Sequence, residues 1–595
     1  MKSKTTAIWF VIALALAGFV WFSQTYLQRS APAPAGLLPG LHAGEVTSIQ
    51  VSPAGTHEIS AVHTNQTWLL VEPVAYPAQA AAVASLLAAL EKLTSTIDIT
   101  AAEMSSHKNA DAEFGFDDPQ FTVDVTAGDK SWHLSVGNKT APGDGVYVRV
   151  VGVNGAFVTD PGWLQWLPHD TSSWRDLSLV DTDSAVDWIV VTNGTKVMEL
   201  RSDATNHVWR MIRPLQARAD SARIATALQL LRSASVSKFI TDDPKADLTT
   251  YGLQPAALDV WLGHGTDMLT AIHAGKDSPD NPAEMFVQRQ GWNSVMTTPK
   301  EPLSPWRGAV NDWRDRHLLE LTAPIAAIVV RGENGFTLQQ QPGSTNWVVV
   351  GEKFPTDLEE IKHFVQLLAG LRVTDFVKDF VTGTDLQNFG LTTNARQITL
   401  LGVAGDTNSV LSQLTFGAAT TNEIYVNRGD EDFVYGLSLD QYRQLPEYGW
   451  EFRDRRLWNF SETNVTQVTL HQDGRNLTLL RLGKDSWSLA AGSQGMINPP
   501  AVEEVVHRLG QLTCDGWLQP NVTRPEDYGL GNLRLQIVIE LRTGEKFTVD
   551  FGDAIPHTQT VVGGATLDGE RWAFVFPAPL LALVAQYLTI PQAPQ

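Results

Sequence analysis

The chain has 595 residues, 43% hydrophobic and 18% charged, with a formal net charge of −21 and one cysteine, Cys514. That length exceeds what one hydrophobic core serves and fits several globular domains. The acidic excess repels a phosphate backbone, so no nucleic-acid partner is expected, and a lone thiol excludes an intrachain disulfide or a thiolate metal cluster.

The first predicted element is the run from Ala7 to Phe22, which has no polar residue and follows Lys2 and Lys4. Extended to Leu27 as a helix, it spans about 31 Å, enough to cross a bilayer. The lysines place residues 1–6 as a cytoplasmic tip and 7–27 as a transmembrane anchor, with the rest outside. A cleaved signal peptide is the alternative, but the small-residue stretch Ala33-Pro34-Ala35 lies far beyond the apolar run. An exported chain without disulfides fits a bacterial envelope. The expected location is therefore single-pass in the inner membrane, with the bulk of the chain periplasmic. Residues 28–44 read as a stiff, Pro-rich tether.

Beyond the tether the sequence repeats. Trp68, Trp209, Trp347 and Trp487 stand in strand-like contexts 141, 138 and 140 residues apart. An amphipathic helix is predicted after each, with apolar stripes Val83/Leu86/Leu87/Leu90/Leu93, Ile224/Ala227/Leu228/Leu231, Ile361/Phe364/Val365/Leu368/Leu371 and Val502/Val505/Val506/Leu509/Leu512. Pro77 and Pro499-Pro500 suit the openings of the first and last. An aromatic-Gly-apolar turn follows each helix, at Gly115, Gly252, Gly390 and Gly529, where a left-handed backbone calls for glycine. Alternating runs then predict β-hairpins. These signals define unit 1 (45–180), unit 2 (181–320), unit 3 (321–460), unit 4 (461–588) and a tail (589–595). The fold class expected is α+β: an N-terminal transmembrane helix, then four tandem repeats of ~140 residues, each an antiparallel sheet with one main amphipathic helix.

A third recurrence is an Arg-Asp pair beside an aromatic: Arg175-Asp176, Arg314-Asp315 and Arg453-Asp454, with the arginines 139 residues apart. Three copies for four units, each between the last strands of one unit and the first of the next, point to a joint in which Arg grips a carboxylate over a ring. A repeated anion site is the alternative. The recurring tryptophans, flanked by apolar residues, read as core rings rather than ligand platforms. Trp132, Trp163, Trp166 and Trp261 fall outside the recurrence and are better candidates for a ligand surface.

No catalytic constellation emerges. There is no Gly-x-Ser-x-Gly elbow and no His-Glu-x-x-His pair. The stretch His273 to Ser278 lacks the upstream Gly and closing Ser or Thr of a phosphate loop. The acidic turns Asp181 to Asp187 and Gly429 to Phe433 lack the Gly and Glu of a calcium loop. None of the 14 histidines recurs at a matching offset from its unit's Trp. No cofactor, metal site or enzymatic activity is expected.

Trp209 with Pro214, Tyr251-Gly252-Leu253 with Pro255, and Tyr528-Gly529-Leu530 give the chain beyond Leu27 a structural signature. On these motifs it resembles the bacterial domain-of-unknown-function family 4340. The third unit departs from the pattern, with Phe389 in place of the Tyr, and the first carries Phe114 and Phe116. The resemblance implies an exported, membrane-anchored protein encoded beside gliding-motility-type ABC transporters, hence an accessory or scaffold role with transporter subunits or envelope proteins as partners. A glycan- or peptide-binding envelope protein, and a hydrolase with its site in one divergent unit, stay open as alternatives.

Overall fold

The computed structural model describes residues 15, 17–18 and 36–590, apart from 66, 181–184, 204, 206, 322, 405–406 and 494–496. The chain forms two compact units, Met1–Asp315 and Arg316–Gln595. Strand makes up 41% and helix 21%, so the expected α+β class gives way to a mostly-sheet protein built on four large antiparallel sheets. Among the described residues no helix is long and apolar enough to cross a membrane. That finding goes against the single-pass anchor and the inner-membrane location drawn from it. The span 7–27 itself lies outside the described residues, except Ala15, Ala17 and Gly18.

The first compact unit holds two nine-stranded sheets. In the first, the strands lie in the order Tyr76–Pro77, Thr67–Glu72, Ile59–Thr64, Ser48–Pro53, Phe121–Ala127, Lys130–Lys139, Val146–Val150, Ala156–Thr159 and Ile97–Ile99. The helix Ala80–Glu91 thus takes the chain from one edge of the sheet to the other, and its apolar stripe covers the core on the way. The second sheet repeats this order, from Ala217–Arg218 at one edge to Lys238–Thr241 at the other, with helix Ser221–Arg232 between them in sequence. In the second compact unit, two eight-stranded sheets follow the same plan around helices Leu358–Ala369 and Pro499–Gly510.

Each helix buries the face its spacing predicts, because positions three and four apart share one side. Val83, Leu86, Leu87 and Leu90 are buried in the first, and Val502, Val505, Val506 and Leu509 in the last. Val365 of the predicted third stripe is only half-buried, while Ile361, Phe364 and Leu368 are buried. Side chains of Asp220, Asp357 and Asn498 cap three of the four helices. Pro77 does not open its helix; it closes the two-residue edge strand Tyr76–Pro77, and the helix begins at Ala80. Strands such as Phe121–Ala127 alternate buried and half-buried residues, the pattern of a sheet with one core face.

Leu37, Leu38 and Leu41, in the stretch read as a tether, are buried in the first core, and the Leu37 N–H donates to Leu93 O at 2.8 Å. The segments after the Arg-Asp pairs do the same for the sheets that follow them. The N–H groups of Leu179, Leu318 and Leu457 donate to the carbonyls of Ala234, Leu371 and Leu512, each just past a main helix. Each sheet therefore receives its lead-in chain before its own first strand begins.

Candidate functional site

Trp209 and Trp487 are buried, and Trp68 and Trp347 are half-buried. All four lie in the third strand of their sheets. The indole N–H of Trp487 donates to Glu503 at 2.8 Å, while Arg481 lies 4.5 Å over the same ring. Gly115, Gly252, Gly390 and Gly529 all take positive φ, between 68° and 79°. A Cβ at Gly252 would also come within 2.6 Å of the Lys276 side chain, so conformation and space both demand glycine there. A second recurring glycine escaped the sequence reading. A Cβ at Gly137, Gly275, Gly417 or Gly552 would run into the carbonyl oxygen of the turn aromatic, Phe114, Tyr251, Phe389 or Tyr528.

The three Arg-Asp pairs share one backbone clasp. The N–H groups of Asp176, Asp315 and Asp454 donate to Pro77, Arg218 and Pro355 carbonyls, at 2.8 to 3.0 Å. Carbonyls of the preceding residues, Trp174, Trp313 and Phe452, in turn accept from Gln79, Asp220 and Asp357, the N-caps of their own units' helices. The motif thus closes its unit by tying the chain to the start of the main helix.

The side chains then reach onward. Buried Arg175 makes a two-pronged ion pair with Asp242 of the second sheet's unit, at 3.0 and 2.7 Å, over the ring of Phe239 at 4.3 Å. Asp176 does not pair with Arg175. It accepts from Arg289, another residue of the second sheet, at 3.1 Å. Tyr76 fills the space between, edge-on to Phe239 and 3.2 Å from the Met296 sulfur. Burial pushes the Tyr76 hydroxyl above its ordinary pKa despite the neighbouring arginines. In the second compact unit, Arg453 meets Asp568 at 3.0 Å but relies on rings: Trp572 at 4.5 Å, Trp517 at 5.3 Å and Phe354 at 5.4 Å. Arg314 is buried, with Asn311 Oδ1 at 3.3 Å from one guanidinium nitrogen; Trp313 before it stacks on Trp306 at 4.8 Å. The first compact unit ends at the residue after it, Asp315.

Burial alone raises the Asp242 carboxyl, but hydrogen bonds from Arg175 and Ser294 and the guanidinium charge outweigh it, and its pKa falls below the ordinary value. A lowered folded pKa stabilises above the unfolded value of about 3.9 and loses that contribution as pH falls through the folded one. Acid titration followed by tryptophan fluorescence should therefore show this joint intact at pH 5 and failing only below about pH 4. In Asp242→Asn that acid-side loss should be smaller.

Of the tryptophans outside the recurrence, Trp132 and Trp163 are buried, and Trp163 donates to Thr159 at 3.1 Å. Trp261 is half-buried against His273, and Trp166 is exposed. One histidine nevertheless recurs in position on the sheet, although not at a matching offset from the Trp. His133 and His273 sit across a hairpin from Asp124 and Asp259, with ring nitrogens 2.6 and 2.5 Å from the carboxylates. Their offsets from Trp68 and Trp209 differ by one residue, which hid the match. The other ring nitrogen of His273 is held by Gln290 at 2.6 Å. Cys514 is buried, and desolvation pushes its thiol up to about 12, as for a packed apolar residue.

One feature departs from the repeat. A cleft of about 610 Å³ in the second compact unit is walled by Tyr448 and Trp450, whose rings stack at 5.3 Å and 21°. At a spacing of 139 the matching positions are Ala309 and Asn311, then Asp170 and Ser172. The two rings stand on a short turn that is firmly held. The Glu451 carboxylate accepts from the N–H groups of Glu447 and Tyr448, both at 2.7 Å, and a Cβ on Gly449 would lie 2.9 Å from Phe336. Burial raises the Glu451 carboxyl above its ordinary pKa, against those two hydrogen bonds and the charge of Arg396. The sequence signal that would have found the pair is the departure from the repeat itself.

The profile of the family described as Domain of unknown function (DUF4340) matches residues 68–206, 209–384 and 347–532. No curated protein matches the chain.

Proposed function

The chain belongs to the DUF4340 family, since the matched stretches cover well over half its length, and from that premise we propose that it is a non-enzymatic scaffold that holds a protein partner. The observation that supports this reading most is the use made of the Arg-Asp pair. Arg175 and Arg453 are buried against carboxylates and rings of the next sheet, so the most chemically suggestive motif is spent on joining sheets. Within each compact unit, two sheets tied together in this way suit holding a partner better than turning over a substrate. The partner class that the family resemblance favours is a subunit of an ABC-type transport system.

Cross-linked capture of the tagged full-length chain from its native cells tests the reading. Enrichment of transporter subunits is the expected result. Recovery of the chain alone, monomeric by light scattering of the same eluate, counts against it.

A further inference from the structure

We propose that the cleft beside Tyr448 and Trp450 is a binding site for a neutral oligosaccharide. This goes beyond the scaffold reading and stands without it. The first argument is shape: about 610 Å³ falls within the range of small-ligand sites and accommodates two or three sugar rings. The second is the wall. A pyranose has an apolar face of C–H groups that lies flat on an aromatic ring, and Tyr448 and Trp450 offer a stacked, partly exposed pair. That pair appears in one repeat of four, so folding does not require it. It is nonetheless fixed by Glu451 and by the close approach at Gly449, which lowers the ordering cost of binding.

The third argument is charge. Three guanidiniums, Arg331, Arg396 and Arg443, line the cleft beside three carboxylates, Glu333, Glu447 and Glu451. Opposite charges in equal number give no preference for an anion or a cation, yet supply the planar donors and acceptors that hydroxyl groups use. Much of that polarity is already committed within the protein: Asn334 donates to Glu447 at 2.8 Å, and Arg396 donates to the Pro446 carbonyl while lying 5.5 Å over Tyr442. An extended peptide fits less well. The strands Ile325–Arg331 and Arg396–Ala404 are paired on both sides, and the edge strand Gly516–Gln519 reaches the cleft through Leu518 and Gln519 alone, a short stretch for pairing a peptide backbone.

The test is titration of the full chain with maltotriose, with chitotriose and with a proline-rich hexapeptide, read by tryptophan fluorescence and calorimetry. At least one triose should bind saturably. Trp450→Ala should weaken it by about tenfold or more and Trp450→Phe by less, while Trp166→Ala, at an exposed ring of the first compact unit, should leave it unchanged. An unaltered circular-dichroism melt of Trp450→Ala shows that a lost affinity is not a lost fold. The proposal is overturned if neither triose binds at about 10 mM, if Trp450→Ala leaves the affinity intact, or if only the peptide binds. None of these results depends on a protein partner, so this site and the scaffold reading fail separately.

Discussion

Arg175→Ala should destabilise the first compact unit by about 3 kcal/mol, seen as an earlier unfolding transition in urea and faster amide exchange over residues 238–242. The magnitude follows from what is left behind. Asp242 would keep only Ser294, at 2.6 Å, and its carboxylate would remain largely enclosed without a cation. Removing one partner of a buried pair costs far more than the pair contributes, because the surviving charge is stranded. Phe239 and Tyr76 would also lose the guanidinium that lies over them. Arg175→Met, which keeps the stem packing but not the fork, should fall between wild type and Ala. Arg453→Ala should show a different balance. Its carboxylate partner, Asp568, is mostly exposed, so the loss there is dominated by the ring contacts with Trp572, Trp517 and Phe354.

Gly275→Ala should cost a comparable amount, about 3 kcal/mol, for a purely steric reason. The added methyl would overlap the Tyr251 carbonyl oxygen and lie 3.0 Å from the Gly252 carbonyl carbon, and these are backbone atoms that no rotamer change can move. The neighbouring hydrogen bond, from Lys276 N–H to Tyr251 O at 2.9 Å, fixes the distance between turn and strand. Gly265→Ala is the informative comparison. That glycine has φ of 58° but nothing within 4 Å of its Cβ, so its substitution should cost only about 1 kcal/mol. Thermal unfolding of the two variants side by side separates a clash from a backbone preference. If Gly275→Ala melts with Gly265→Ala, the close packing of turn on strand is not as described.

The sequence carried the periodic part of this fold well. Tryptophan and glycine spacings near 140 revealed the repeats, and a 12-residue helix has enough turns for its apolar stripe to stand out. What stayed hidden was short or displaced. Edge strands such as Tyr76–Pro77 and Ile97–Ile99 have two or three residues, too few to show alternation, so the weight of sheet was underestimated. Lead-in residues such as Leu179 and Val180 pack into the sheet that follows, a long-range choice that local pattern does not encode. The joint was placed from counting three pairs, but not its wiring: Arg175 and Asp176 each take a different partner, 67 and 113 residues away. The Tyr448-Trp450 pair has Ala309 and Asn311, then Asp170 and Ser172, at the matching positions, so no repeat pattern marks it.

The central claim is that the Arg-Asp motif, at Arg175 and Arg453, joins neighbouring sheets within a compact unit rather than binding a ligand. A double-mutant cycle of Arg175→Ala and Asp242→Ala, read by urea unfolding of the full chain, tests it most directly. A joint predicts a coupling of about 2 kcal/mol, with the double variant clearly more stable than the two single losses added together. A coupling near zero, with both variants as stable as the parent, would show that the two side chains do not hold the sheets together and would contradict the account.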